Sequence, residues 1–233
     1  MDLDRRLLKP LAGTGKMFCY DSPEYVKDMG TPDRYYSVCA DYREGRVTGK
    51  NLKNKQKAIF LDRDGTINKY VGFLRNIDDF ELIDGVAEAI RKINESGYLA
   101  IVATNQPVIV RGEVSFDELE EIHNKMETLL GKEGAYLNAI YYCPHHPHKG
   151  YEGERPELKI DCDCRKPKPG MLLKAAEDFN IDLSQSWMIG DGENDIKAGI
   201  NAGCKTVLIG NGDENYGQMM MVDSLLAFVK ISL

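Results

Sequence analysis

An apolar run, Ile59-Phe60-Leu61, breaks off into two carboxylates one residue apart, Asp62 and Asp64, and then turns through Gly65-Thr66. A buried strand that ends this way places both acids at the carboxyl edge of a sheet, where open α/β sheets bind their ligands. Two anions so close repel each other, and a divalent cation removes the conflict. Asp62 then stays ionised and can attack phosphorus to form an aspartyl-phosphate. Asp64 can protonate the leaving oxygen and later activate water. An acid pair that only caps a strand-end turn has the same local pattern, so the rest of the chain must decide.

Three further clusters support the chemical reading. Ile101-Val102-Ala103 ends in Thr104-Asn105-Gln106, a hydroxyl and two amides suited to phosphoryl oxygens. Arg165 and Lys166, inside Cys164-Arg165-Lys166-Pro167-Lys168-Pro169-Gly170, set cations just before a helix start. Trp187-Met188-Ile189-Gly190 runs into Asp191, Glu193 and Asp195, acids able to complete a magnesium site, since Mg²⁺ takes oxygen ligands and keeps waters.

These four motifs, in this order, resemble the haloacid dehalogenase superfamily of aspartate-nucleophile phosphatases over roughly residues 57–229. The resemblance implies Asp62 as nucleophile and magnesium ligand, and Asp64 as general acid/base that also offers its backbone carbonyl to the metal. It implies Thr104 and Lys166 as stabilisers of the phosphoryl group and Asp191 as the third magnesium contact. Asp195 is either a second acid behind the site or simply part of the first turn of the next helix.

Cys143-Pro144-His145 is answered after a polar loop by Cys162-Asp163-Cys164. Three thiolates and an imidazole make a closed tetrahedral set that suits structural Zn²⁺ and leaves no position for water. Such a metal would staple the loop that leads into Arg165 and Lys166. A disulfide or scattered free thiols are the alternatives; against the disulfide, nothing resembles a secretory signal, and intracellular thiols stay reduced. His146 and His148 lie next to His145, and spacing in the resembled family favours His145. His123, beside Leu119, Ile122 and Met126, reads as a packing residue.

Cys-Pro-His, Cys-x-Cys-Arg-Lys-Pro-x-Pro-Gly-Met and Thr-Asn-Gln together resemble the zinc-bearing branch, which holds heptose 1,7-bisphosphate 7-phosphatases and histidinol-phosphate phosphatases. That resemblance implies removal of the 7-phosphate of a sugar bisphosphate, with histidinol phosphate or another small phosphoester as the alternative substrate. It implies substrate contacts at Arg165, Asn105, Gln106 and Pro107, at Tyr70, Val71, Gly72 and Phe73, and at Gly192. Here the chain departs from the family: Tyr70 replaces a usual Asp, Phe73 a usual Tyr, Pro107 a usual Ser, and Gly192 a common Lys. A non-catalytic scaffold that only binds sugar phosphates is the competing class, and the intact Asp62, Asp64, Thr104, Lys166 and Asp191 argue against it.

Periodicity predicts helices over Asp84–Asn94, Ser115–Leu130 (opened by the Ser115-x-x-Glu118 capping box), Pro169–Phe179, Asp195–Ala202 and Asp223–Lys230. Strands are predicted over Tyr98–Ala103 and Ala139–Tyr142, from Trp187, and over Thr206–Ile209 as the last core strand. Alternating strands and helices imply an α/β fold, a Rossmann-like three-layer sandwich with a parallel sheet. Only a short hairpin and one helix fit between Thr66 and Tyr98, so no large cap domain is expected. The zinc loop and Tyr70 to Phe73 then shape the opening.

The chain divides into residues 1–53 and a phosphatase domain over 54–233. Tyr20 to Tyr35 resembles the closing segment of the catalytic domain of sugar-1-phosphate nucleotidyltransferases, with Asp28 at a metal-binding position and Thr31-Pro32 starting a helix. The Gly-rich nucleotide-binding start of those enzymes is missing, so this piece cannot transfer a nucleotide alone. Thr48 to Lys57 reads as a linker. The segment is a remnant of a fused transferase, a partner for a separate one, or an ordinary extension. The fusion reading points to nucleotide-heptose synthesis and an α anomer. Net charge of −7 without a basic stripe argues against nucleic acid, and no apolar run could span a bilayer, so a cytoplasmic enzyme is expected. Cys19, Cys39 and Cys204 read as small apolar residues.

Overall fold

The computed structural model describes residues 4–18, 22, 24–148, 150 and 152–233. Cys19 and, from the transferase-like segment, Tyr20, Asp21 and Pro23 lie outside the described residues.

Ahead of the sheet come α1 (Pro32–Arg43) and α2 (Arg46–Gly49). As expected, α1 opens at Thr31, whose side chain accepts from Arg34 N, with Pro32 as its first residue. Its one buried residue is Asp41, which accepts from Tyr25 Oη at 2.5 Å, Lys27 Nζ at 2.8 Å and Arg46 Nε at 2.8 Å. Asp28 is exposed and paired with Arg34. Neither helix adds a residue to the hydrophobic clusters that flank the sheet. At the end of the stretch expected as a linker, Gln56 is buried: its N–H donates to Asn180 O at 3.0 Å, and its carbonyl accepts from Asp182 N at 2.9 Å.

The sheet consists of β1 (Ala58–Leu61), β2 (Leu99–Asn105), β3 (Ala139–Cys143), β4 (Trp187–Gly190), β5 (Lys205–Ile209) and β6 (Met220–Val222). All pairs are parallel, in the order β3-β2-β1-β4-β5-β6. The chain lays down one half outward from β1 and the other from β4, so the direction of winding reverses beside β1. Crevices for ligands open at such reversals, outside the carboxyl ends of the strands.

Alternation sorts the strand residues between two layers. Ile59 and Leu61 join α3 (Val86–Glu95), α4 (Phe116–Lys132) and α7 (Leu225–Ser232) on one face. Ala58, Phe60 and Met188 pack against α5 (Gly170–Asp178) on the other, where α6 (Glu193–Ala202) also lies on β4 and β5. All four residues of β1 are fully buried, and each large side chain among them contributes roughly 1.5–3 kcal/mol. The Ser115 capping box at the head of α4 forms as expected.

Between β1 and β2 there are only isolated strand-like pairings of Asn68 with Asp64 and with Leu82, a 3-10 turn at Ile77–Asp79, and α3. No cap domain interrupts the fold there. One expectation fails: Thr206–Ile209 is not the last strand, because Met220–Val222 pairs beyond it, with Leu208 opposite Met221. Three residues at a sheet edge, two of them half-buried, carry too little periodicity to be read. Among the described residues no helix is long and apolar enough to cross a membrane.

Candidate active site

Asp62 leaves the end of β1 with its N–H donating to Ile189 O at 2.9 Å, which sets the acid against the neighbouring strand β4. Lys166 Nζ donates to Asp62 Oδ1 at 2.8 Å and to Asp195 Oδ1 at 2.5 Å. Burial alone would push the Lys166 ammonium down, but Asp195 and Asp62 outweigh it and hold the group charged. Asp195 is itself raised above the carboxylate range, first by burial, which Lys166 opposes and Asp62 reinforces. It also accepts from Gly192 N at 3.1 Å, so it both caps α6 and faces the site.

Asp191, at the end of β4, opens to the mouth of the crevice and is raised to about 6, first by partial withdrawal from water and then by Asp62. Oxygens of Asp62, Asp191 and Asp195 all lie within 4.8 Å of one another. Three carboxyls facing one ammonium leave negative charge that fits a hard divalent cation. Two glycines make this approach feasible. A Cβ on Gly65, whose φ is +79°, would fall 1.9 Å from Asp191 Oδ2, and one on Gly190 would fall 2.3 Å from the Asp195 carboxyl.

Asp64 is not part of that acid trio; its carboxylate turns toward donors. Arg63 Nη2 reaches Asp64 Oδ1 at 3.0 Å and Oδ2 at 2.9 Å, Asn68 Nδ2 reaches Oδ1 at 3.0 Å, and Gln106 Nε2 reaches Oδ2 at 2.9 Å. Arg63 is completely buried, and its Nη1 lies 3.3 Å from Nε2 of His123 on α4. Burial, then Arg63, pushes His123 down to about 4, which keeps the imidazole neutral. The sequence reading missed Arg63 and took His123 for packing alone. The available signal was an arginine between two acids at the end of an all-buried strand, which must find its partners indoors.

The crevice above these groups has a volume near 230 Å³. Tyr70, Gly72 and Phe73 wall it on one side, Asn105, Gln106 and Pro107 on another, and Arg165, Lys166 and Gly192 close it. Val71 and Thr104 were expected here and do not line it. Thr104 is buried beneath, its Oγ1 accepting from Gln106 Nε2 at 3.0 Å. Asn105 clamps the Lys166 backbone from both sides: Nδ2 donates to Lys166 O and Oδ1 accepts from Lys166 N, each at 3.0 Å. At the rim the Arg111 guanidinium lies 4.0 Å over the Phe73 ring.

Beside the crevice, Cys143, His145, Cys162 and Cys164 converge. Their sulfurs are 3.2, 3.3 and 3.5 Å apart, and His145 Nδ1 is 3.3 Å from Cys164 Sγ. A disulfide needs about 2.05 Å, so these are free thiols. Tetrahedral thiolates at about 2.3 Å from zinc stand roughly 3.7 Å apart, close to the spacing seen. Cys164 is lowered to about 5, first by its hydrogen bond with Cys143, then by those with Cys162 and His145, all against burial. His145, rather than His146 or His148, faces the sulfurs; those two rings meet edge to face with centroids 4.6 Å apart. Arg165 Nη1 donates to His145 O at 3.2 Å, which ties the cluster to the crevice.

Comparison with known proteins gives the chain its relatives. The HAD-hydrolase-like family model matches residues 163–223. The chain is 47% identical over 163 residues to the D-glycero-beta-D-manno-heptose-1,7-bisphosphate 7-phosphatase of Haemophilus influenzae, covering 70% of this chain and 86% of the relative. The enzyme of that name from Escherichia coli K12 is 44% identical over 156 residues, 66% of this chain and 80% of the relative. Among solved structures, a D,D-heptose 1,7-bisphosphate phosphatase from B. bronchiseptica, complexed with magnesium and phosphate, superposes with a TM-score of 0.66 at 31% identity, over 76% of this chain and 97% of that one. With its strand-end acids, parallel sheet and these relatives, the chain belongs to the haloacid dehalogenase-like hydrolases, in the family of the heptose-1,7-bisphosphate 7-phosphatases.

Proposed function

We propose that this protein is a magnesium-dependent phosphatase that removes the 7-phosphate of D-glycero-D-manno-heptose 1,7-bisphosphate through an aspartyl-phosphate. The observation that carries the reading is the placement of Asp62: a strand-end carboxylate held at 2.8 Å by a buried Lys166 and flanked by Asp191 and Asp195. Asp62 attacks phosphorus while the bond to the sugar oxygen breaks, and Asp64 gives that oxygen its proton. Asp64 then takes a proton from water, which attacks the aspartyl-phosphate and frees inorganic phosphate and Asp62.

Lys166 offsets the charge that builds on the phosphoryl oxygens, and the Asn105 side-chain amide is at hand to bind them, while Gln106 holds Asp64 in place. Thr104 supports that pocket from beneath through Gln106. Asp62 and Asp191, with the Asp64 carbonyl, would hold Mg²⁺, and Asp195 lies close behind. Bound magnesium would neutralise phosphoryl charge and orient the phosphate for in-line attack. Cys143, His145, Cys162 and Cys164 would hold Zn²⁺ as a staple that sets the position of Arg165. Arg165, Tyr70, Phe73, Pro107 and Gly192 are then placed to meet the sugar and its second phosphate.

Residues 54–233 are the catalytic unit in this reading. Residues 1–53 are an attached segment whose helix α1 remains available to a nucleotidyltransferase of the same route. Free thiols and a zinc cluster suit a cytoplasmic setting. The test is phosphate release from the α and β anomers of the heptose bisphosphate and from histidinol phosphate, with and without Mg²⁺. A strong preference for one heptose anomer supports the proposal and names the substrate. Turnover of histidinol phosphate alone would move the chain to the other branch, and no turnover of any would leave a sugar-phosphate-binding scaffold.

A further inference from the structure

We propose that Arg63, seated on His123, is a positioning residue that aims Asp64 at the leaving oxygen, so that proton donation depends on a contact running from β1 through the interior to α4. The inference rests on the reading of Asp64 as the general acid/base. Its basis is the cost of the arrangement. Arg63 is wholly buried, and among the described residues its one charged partner is the adjacent Asp64. Its other partners are uncharged: Gln106 Oε1 accepts from Nη2 at 2.9 Å, and His123 Nε2 lies 3.3 Å from Nη1. Burying a guanidinium is expensive, and an apolar side chain of similar volume often serves stability equally well.

What an apolar residue could not do is hold both oxygens of Asp64 in one plane. A bidentate guanidinium fixes a carboxylate in position and rotation, because both N–H directions are set by one rigid group. Gln106 adds a second constraint on Oδ2 and couples it to Thr104. His123 contributes the acceptor that stops Arg63 from turning, and its own ring is set by α4 and by Tyr142, whose ring centroid is 5.7 Å away. Accepting through Nε2, the imidazole carries its proton on Nδ1. Asp64 is thus aimed from behind by Arg63 and His123, which do not line the crevice.

A residue that positions the proton donor has a kinetic signature that a purely structural one lacks. An alkoxide cannot leave without its proton, whereas p-nitrophenolate can. The value of kcat/KM reports the steps up to aspartyl-phosphate formation, so it isolates this proton transfer from the later hydrolysis. The experiment measures kcat/KM in the presence of Mg²⁺ for glycerol phosphate and p-nitrophenyl phosphate, using the wild type, Asp64→Asn, Arg63→Met, His123→Leu and His123→Gln. Arg63→Met is expected to lose about 10–100-fold on glycerol phosphate and less than about threefold on p-nitrophenyl phosphate, a share of the 10²–10⁴ that general acids supply.

His123→Leu is expected to show the same selectivity in smaller degree, and His123→Gln, which keeps an acceptor, to recover most of it. The His123 pair carries the test if Arg63→Met does not fold. Equal losses on both esters in the Arg63 and His123 variants, beside a selective loss in Asp64→Asn, would overturn the positioning role alone. No selectivity in Asp64→Asn would overturn the reading of Asp64 and this proposal with it.

Discussion

Lys166 Nζ lies 2.8 Å from Asp62 Oδ1, so the loop that follows the cysteine cluster and the end of the central strand meet at one atom. The two residues are 104 positions apart in the chain. Lys166 is also the partner of Asp195, and cutting it away leaves that carboxyl buried without a counter-charge. Lys166→Met is therefore expected to cost about 3–5 kcal/mol in a urea melt, as for other broken buried pairs. It should lower kcat/KM by roughly 10²–10³. Adding Asp195→Asn should restore much of the stability and little of the activity.

Gly65→Ala tests the close approach beside Asp191. The new Cβ would both collide with the Asp191 carboxyl and force an L-residue to positive φ, a strain of about 1–3 kcal/mol. Thermal melting should fall accordingly, and the Mg²⁺ concentration needed for half-maximal turnover should rise. Unchanged magnesium dependence would show that Asp191 is not held where the structure puts it.

Metal removal tests the staple. Cys162→Ser, or chelation verified by elemental analysis, is expected to speed amide exchange over residues 152–165 and to raise KM through Arg165, which is tied to His145 O. Because ligand thiols must lose their protons to bind, zinc should be lost first at acid pH. Unchanged melting and kinetics after verified removal would contradict the assignment.

The motifs were legible because each is a local event: an apolar run buried on both faces, stopped by side chains that the carboxyl edge of a parallel sheet can use. Asp62, Lys166, Asp191 and the Cys-His cluster all converge as their spacing implies. What escaped is non-local. Arg63 and His123 meet across 60 positions, so the one local signal, an arginine between two acids, does not point to its partner on α4. Val71 fell off the crevice wall because a short loop has no periodicity to say which of its side chains turns inward. Thr104 sits beneath the pocket for a related reason: alternation at the end of β2 sends its hydroxyl to Gln106. The edge strand Met220–Val222 was hidden by its length, since three residues cannot display a period of two.

Asp41 gives a pH prediction for the N-terminal segment. Hydrogen bonds from Lys27 first, then Tyr25 and Arg46, hold its carboxyl well below the usual range. A depressed folded-state value means the contribution is complete above the unfolded value near 4 and is lost as pH falls below it. Amide exchange in α1 should therefore accelerate below about pH 4. In Asp41→Asn it should already be fast at neutral pH and show no such step.

The central claim is that Asp62 becomes phosphorylated during turnover. The direct measurement is an acid quench of the enzyme with Mg²⁺ and excess heptose 1,7-bisphosphate, followed by mass spectrometry of the peptide carrying Asp62. The account predicts a phosphoryl adduct on that peptide, and neither adduct nor turnover in Asp62→Asn. Turnover that persists in Asp62→Asn would contradict it.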